Sequence, residues 1–195
     1  FLIRGDGHMS LQEVHLDKQS EHAAEPRWRK YSSLLLNAAL MIAAFLIVSA
    51  FQARNMLRTD RPVAPELIAT TLEHGAFDLG DMQARPTLVY FFAPWCHFCA
   101  FSSDNLNRLR QWRGEEDLRI VTVALDWNNV AEVRDYAANH ELTVPVLLGD
   151  AAIARDWKVF GFPTYYVLDS NGRVVRRDIG YSTQLGLLWR SWAID

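Results

Sequence analysis

The chain has 195 residues, a formal net charge of −3 and only two cysteines. Half of its residues are hydrophobic and 22% are charged, which excludes a chain disordered throughout; the slightly acidic balance argues against nucleic acid as a partner. Two cysteines can neither staple a disulfide-rich scaffold nor build a four-cysteine zinc site.

Residues 1–30 read as a polar tail in which five cations (Arg4, Lys18, Arg27, Arg29, Lys30) meet five acids (Asp6, Glu13, Asp17, Glu21, Glu25). Gly7-His8-Met9 looks like a cloning scar, or Met9 like a start, so residues 1–8 are set aside from reasoning about the fold. Residues 31–53 carry no charge and hold Leu34, Leu35, Leu36, Leu40, Ile42, Phe45, Leu46, Ile47, Val48 and Phe51. A helix of about 20 such residues spans the roughly 30 Å core of a bilayer, so a single transmembrane anchor is expected. Two alternatives are a buried core helix, which normally carries a polar face, and a leader cleaved after Val48-Ser49-Ala50; the run exceeds the usual leader core. Arg27, Arg29 and Lys30 before the span balance Arg54, Arg58 and Arg61 after it, so the positive-inside rule leaves the orientation open. Trp28 among the first three cations reads as an interfacial anchor. Residues 54–65, with Pro62 and Pro65, read as a linker, and 66–195 as one globular domain.

Within that domain Thr87 to Phe92 is a continuous apolar run suited to a strand buried on both faces, broken by Ala93-Pro94-Trp95. A helix is predicted from Cys96 to about Trp112, a strand over 118–124, a helix over 130–139, a strand over 146–148 and a short helix over 151–157. The strand 164–168 runs into Asp169-Ser170-Asn171-Gly172, a hairpin turn, and returns over 173–178 before a last helix at 182–192. This order predicts an α/β fold, a mixed sheet flanked by helices on both faces. On the last helix Trp189 and Trp192, three apart, read as core anchors.

Both cysteines sit in Cys96-His97-Phe98-Cys99, directly after a strand and at the start of a helix. There the unpaired N–H groups and the helix dipole favour an anion. A thiol of ordinary pKa, about 8.5, is only about 3% thiolate at neutral pH, against half at pKa 7, so this placement activates Cys96 as a nucleophile. Cys99, one turn on, is placed to resolve a mixed disulfide on Cys96. His97 between them either stabilises the thiolate as a cation or faces solvent, and Phe98 is a hydrophobic contact beside the site. Gly161-Phe162-Pro163-Thr164 precedes a strand, where proline is tolerated; spacing alone favours an ordinary trans bond. Asp126, at a strand end, reads as a loop or cap residue rather than a base.

Phe92-Ala93-Pro94-Trp95-Cys96-His97-Phe98-Cys99, with Gly161-Phe162-Pro163-Thr164 and Asp169-Ser170-Asn171-Gly172, closely resembles the thioredoxin superfamily over about residues 68–192. The N-terminal anchor makes it similar to the membrane-tethered TlpA/ResA-like redoxins, and Phe101-Ser102-Ser103 looks like the ScsD-type redoxins linked to copper tolerance. The resemblance implies a cis Pro163 facing Cys96, a Phe162 backbone open to a substrate strand, and a Trp95 that shapes the substrate surface. It also implies a tail in the cytoplasm and a redox domain outside the bacterial inner membrane, where a chain without further cysteines has none to scramble. Three positions depart from the pattern: Tyr90 stands where thioredoxin has a buried acid, Ser102 where the cytochrome c maturation reductases have a glutamate, and Asp104 where a helix-kinking proline is usual.

The function expected is a membrane-anchored protein thiol–disulfide oxidoreductase, with no cofactor beyond the Cys96–Cys99 disulfide and no metal. Its expected partners are client proteins, a membrane electron-transfer partner and inner-membrane lipid. The alternatives are a copper-binding module using Cys96, Cys99 and His97 as soft ligands, and a cytochrome c maturation reductase.

Overall fold

A computed structural model describes residues 27–82, 85–192 and 194, and within these not the side chains at 27–33, 53 and 82. The expected polar tail up to residue 26 and the indole of Trp28 lie outside the described residues. The chain divides into two compact units, one up to Val48 and one from Ser49 onward.

Most of the helix α1 (Arg27–Asn55) belongs to the first unit. Its apolar stretch Leu34–Gln52 has 19 residues, a mean hydropathy of 2.5 and no buried share. At 1.5 Å per residue it is about 28 Å long, enough for a hydrocarbon core. A core helix would hide these leucines and phenylalanines, and here none of them is covered, so that reading of the sequence falls.

The second unit is built on a seven-stranded sheet of order β2-β1-β5-β4-β3-β6-β7. At its centre β3 (Thr87–Phe92) and β4 (Arg119–Ala124) run parallel and in register, from Thr87 opposite Arg119 to Phe92 opposite Ala124. β5 (Val146–Leu148) extends the sheet in parallel, and β6 (Thr164–Leu168) and β7 (Val174–Ile179) complete it antiparallel on the other side. The period-two alternation of β3 feeds two cores. Leu88, Tyr90 and Phe92 face one core with Leu106 and Leu109 of α2 (His97–Trp112), Val133 and Tyr136 of α3 (Val130–Asn139), and Leu187 of α5 (Gln184–Trp192). Val89 and Phe91 face the other with Leu67, Trp157 and Tyr166, beside α4 (Ala151–Asp156).

Every element predicted within 66–195 is present, with ends moved by no more than two residues, and the helix expected over 31–53 runs from Arg27 to Asn55. The one that moves for a chemical reason is α2, which begins at His97 because Cys96 is its N-cap. In the turn, Asp169 is buried and its Oδ1 accepts the N–H groups of Asn171 and Arg173, both at 2.9 Å, with Gly172 at φ 69°. The sequence reading assigns nothing between 66 and 86, whereas the structure has β1 (Ile68–Thr71) and β2 (Ala76–Asp78), an antiparallel hairpin that joins the sheet along β5. Four and three residues are too few to show a period, and His74 turns the chain at φ 67°, which a histidine does not announce.

Trp189 and Trp192 are not core anchors: they are 64% and 68% exposed. The core side of α5 is Leu187 and Ser191, four apart, and Trp189 is two residues, about 200°, round from Leu187. The stretch 54–65, expected as a linker, is laced to the domain. Met56 is buried, Leu57 donates its N–H to the Tyr166 hydroxyl, Arg177 donates to the carbonyls of Met56 and Leu57, and Pro62 and Gly172 carbonyls accept from Val174 and Ala64.

Gly149, between β5 and α4, is a close approach. A Cβ there would lie 2.7 Å from both Leu125 Cδ2 and Val123 Cγ1 and 3.1 Å from the Ala124 carbonyl. Gly149→Ala is therefore expected to cost about 1–3 kcal/mol, the usual scale of overpacking, read as a lowered urea midpoint with an unchanged slope. A midpoint equal to the parent's would show that these side chains yield freely.

Candidate active site

β3 ends at Phe92, and Ala93-Pro94-Trp95 carries the chain to Cys96, whose extended backbone (φ −82°, ψ 106°) caps α2. The Cys96 sulfur accepts the Cys99 N–H at 3.2 Å, and the Cys96 carbonyl accepts from the Cys99 and Ala100 amides. A thiolate on Cys96 would sit at the positive end of the helix with an N–H already aimed at it, the environment that lowers a thiol pKa. The two cysteines are joined in a disulfide with Cα atoms 5.2 Å apart. Cys99 is fully buried while Cys96 keeps 7% of its surface exposed, so an incoming sulfur reaches Cys96 first.

The remaining predicted site residues frame that opening. His97 and Phe98 are exposed on the first turn of α2. Trp95, 59% exposed, meets Phe162 edge-on with ring centres 5.8 Å apart. The Phe162–Pro163 peptide is cis, as the family resemblance implies and spacing alone does not, and the Trp95–Phe162 contact sets this loop against the residue that precedes Cys96. Thr164 Oγ1 donates to the Gly161 carbonyl at 2.8 Å and closes this loop.

Asp126 is part of the same constellation. Its Oδ2 and its carbonyl each accept the Trp95 Nε1–H at 3.1 Å, from a backbone held at φ 52°. Parallel, in-register pairing of Phe92 with Ala124 sets whatever follows each strand side by side, a neighbourhood that no local feature of the sequence announces. Trp127 donates to the Gly149 carbonyl at 3.0 Å, which fixes the loop behind. Asn128 and Asn129 lock it through Glu132, and Asn129 caps α3.

Behind Cys99 the polar groups are neutral hydroxyls. Tyr90 donates to the Cys99 carbonyl at 3.2 Å, Ser103 donates to it at 3.0 Å and bonds the Tyr136 hydroxyl at 2.9 Å, and Ser102 turns back to the Phe98 carbonyl. None of these is a carboxylate. Asp104, in the place of the expected proline, is exposed, and α2 continues through it for all 16 residues. Burial pushes the Tyr90 phenol well above its ordinary value, helped by Tyr165 and Tyr136. Burial likewise raises Tyr165, and lifts Tyr136 and Tyr166 to about 12.

These four phenols keep their protons in the fold, while in the unfolded chain they release them near pH 10. The folded state therefore binds more protons between about 10 and 12. Their contribution to stability is whole below pH 10 and is lost as pH rises through that window. Tyrosinate absorbance from these four is expected to appear only together with cooperative alkaline unfolding; reversible ionisation near pH 10 with the fold intact would contradict it.

Among the described residues, no three His, Cys, Asp or Glu side chains converge as a metal site. What the site holds is a reachable sulfur, a buried partner sulfur and an aromatic rim, which is equipment for moving a disulfide from one pair of sulfurs to another.

Comparison with known proteins gives the same chemistry. The Redoxin family matches residues 58–185. A "thioredoxin-like protein" of Haemophilus influenzae is 31% identical over 81% of this chain and 93% of its own length. The thiol-disulfide oxidoreductase ResA of Bacillus cereus is 26% identical over 62% of this chain and 70% of its own. Among solved structures, a thiol:disulfide interchange protein of the thioredoxin family from Chlorobium tepidum superposes with a TM-score of 0.60 at 19% identity, covering 67% of this chain and 94% of that one. With the reachable Cys96, the buried Cys99 and the cis-proline loop on one thioredoxin-like sheet, the chain belongs to the Redoxin family as a thiol–disulfide oxidoreductase of the TlpA/ResA-like kind.

Proposed function

We propose that this redoxin is held by α1 in the inner membrane of a bacterium and exchanges disulfides with client proteins on the outer side. Residues 1–30 form its cytoplasmic tail, 31–53 its anchor, 54–65 the connection and 66–195 the redox domain. The observation that carries the chemistry is the asymmetry of the pair: Cys96 keeps 7% of its surface open at a helix N-terminus, while Cys99, one turn on, has none.

When the pair is reduced, the Cys96 thiolate attacks one sulfur of a client disulfide. The client's S–S bond breaks, one client thiolate leaves, and a mixed disulfide forms on Cys96. Cys99 then gives up its proton and attacks the Cys96 sulfur. The second client thiolate leaves, and the Cys96–Cys99 disulfide carries the two electrons' worth of oxidation. Run backwards, the same steps oxidise a client dithiol. Trp95, Phe162 and Pro163 form the surface against which the client chain lies. His97 and Phe98 border the attacking sulfur. A membrane redox partner returns the pair to its working state. The uncharged span, the cysteine-free remainder of the chain and the names of the ResA relatives support this reading.

The test is to equilibrate the full chain in detergent against glutathione redox buffers, following tryptophan fluorescence. A two-electron midpoint is expected. Near thioredoxin's roughly −270 mV the protein donates electrons to clients, and near about −120 mV it withdraws them. A chain that shows no exchange with glutathione but binds one Cu(I) per reduced pair would overturn the proposal in favour of metal handling.

A further inference from the structure

The helix α5 leaves an apolar stripe in water: Leu185, Trp189 and Trp192, at 73%, 64% and 68% exposure, follow one another at helical spacing on its outer side. Beside it lies a basic hollow of about 310 Å3, lined by Thr59, Val175, Arg176, Arg177, Trp189 and Arg190. The Arg176 guanidinium sits 4.7 Å over the Trp189 ring. Arg190 pairs with Asp178 at 2.7 Å, while Arg177, also on the lining, donates to the carbonyls of Met56 and Leu57.

This patch occupies the pole of the domain away from the cysteines. On β6 and β7, Ile179 pairs with Thr164 next to the cis proline, whereas Arg176 pairs with Val167 further down. Arg113, at the end of α2, donates to the Ser191 carbonyl of α5 at 3.0 Å, and the 16 residues of α2 separate it from Cys96 by about 24 Å. The chain also enters the domain at this pole. Thr59, part of the hollow's lining, is seven residues beyond Gln52, where the apolar span ends. Even fully extended, seven residues reach no more than about 25 Å.

We infer that the α5 stripe, with the Arg176 and Arg190 guanidiniums beside it, forms a docking face for an anionic bilayer surface, with the indoles at the level of the headgroups and the cations drawn to lipid phosphates. The inference rests on the anchored reading above. Tryptophan and arginine side by side are the residues suited to that boundary, and the tether keeps this pole within reach of it. Docked so, the domain turns Cys96 away from the lipid.

The full chain, reconstituted into nanodiscs of phosphatidylcholine alone or of an equal mixture with phosphatidylglycerol, is compared by hydrogen exchange with the chain in detergent. Amides of 184–192 and 174–179 are expected to exchange several-fold more slowly in the mixed discs than in the other two, and salt should remove the difference. Trp189→Ser with Trp192→Ser should abolish it while leaving exchange with a soluble disulfide peptide unchanged. Equal exchange of α5 in all three settings, by a chain that floats with vesicles, overturns the docking face and spares the anchor. Protection that ignores lipid and grows with protein concentration overturns it in favour of a second copy. A chain that does not float with vesicles removes the anchored reading itself, and the docking face with it.

Discussion

Replacing Cys96 with serine is expected to lower disulfide exchange by on the order of a thousandfold or more, the scale of losing an activated nucleophile. A serine hydroxyl at the α2 N-terminus still receives the Cys99 N–H, so the cap and the fold survive while the attacking sulfur is gone. Cys99→Ser has a different signature. Cys96 still attacks, but nothing resolves the mixed disulfide, and clients accumulate in covalent complex with the protein, released by dithiothreitol. Reversed behaviour, with Cys99→Ser inactive and Cys96→Ser trapping clients, would mean that the buried sulfur is the one clients meet. The exposures of the two residues leave little room for that.

The largest loss of stability is expected at Trp157. Its side chain is fully buried and packs against Phe91 at 5.3 Å and Tyr166 at 5.6 Å between ring centres, and its Nε1–H donates to the Glu66 carbonyl at 3.1 Å. Trp157→Ala removes the centre of the second core and leaves that carbonyl without its donor. The cost is about 3–5 kcal/mol, a large part of the 5–15 kcal/mol that holds a typical domain together. Trp157→Phe keeps most of the buried ring and should lose distinctly less. Urea unfolding of parent and both variants orders them, and an alanine variant as stable as the phenylalanine one would show that this core can collapse around the gap.

Where a residue's fate depends on its own strand or turn, the sequence foretells it well. Thr87 to Phe92 reads as a strand buried on both faces and is one, because an unbroken apolar run has no side to give to water. Asp169 to Gly172 reads as a hairpin turn because aspartate and glycine there do local chemistry, an oxygen for two N–H groups and a positive φ. The cysteines declare themselves through spacing and the strand before them. What escaped depends on partners far along the chain. Whether Trp189 is core or surface is decided by which stripe of α5 meets α2, and the choice fell on Leu187 and Ser191. Asp126 reads locally as a loop or cap residue, yet it holds the Trp95 indole, a contact that exists only once β3 and β4 are paired. The Ser103–Tyr136 bond behind Cys99 joins two helices 33 residues apart, and neither residue carries a local mark of it.

The sheet's two outer strands bear on how the domain survives the company it keeps. β2 has three residues, and β7 sets Arg176 and Arg177 in its middle, with 56–64 lying along its outer side from the Val63–Arg173 bridge to the Arg177 contacts. Short, charged or covered margins are how a sheet declines new strands. A half-folded chain arriving with its own sticky segments therefore finds no template for growing an aggregate from this domain. What it can join is a single sulfur, by a bond that the neighbouring sulfur undoes, so each encounter ends in release.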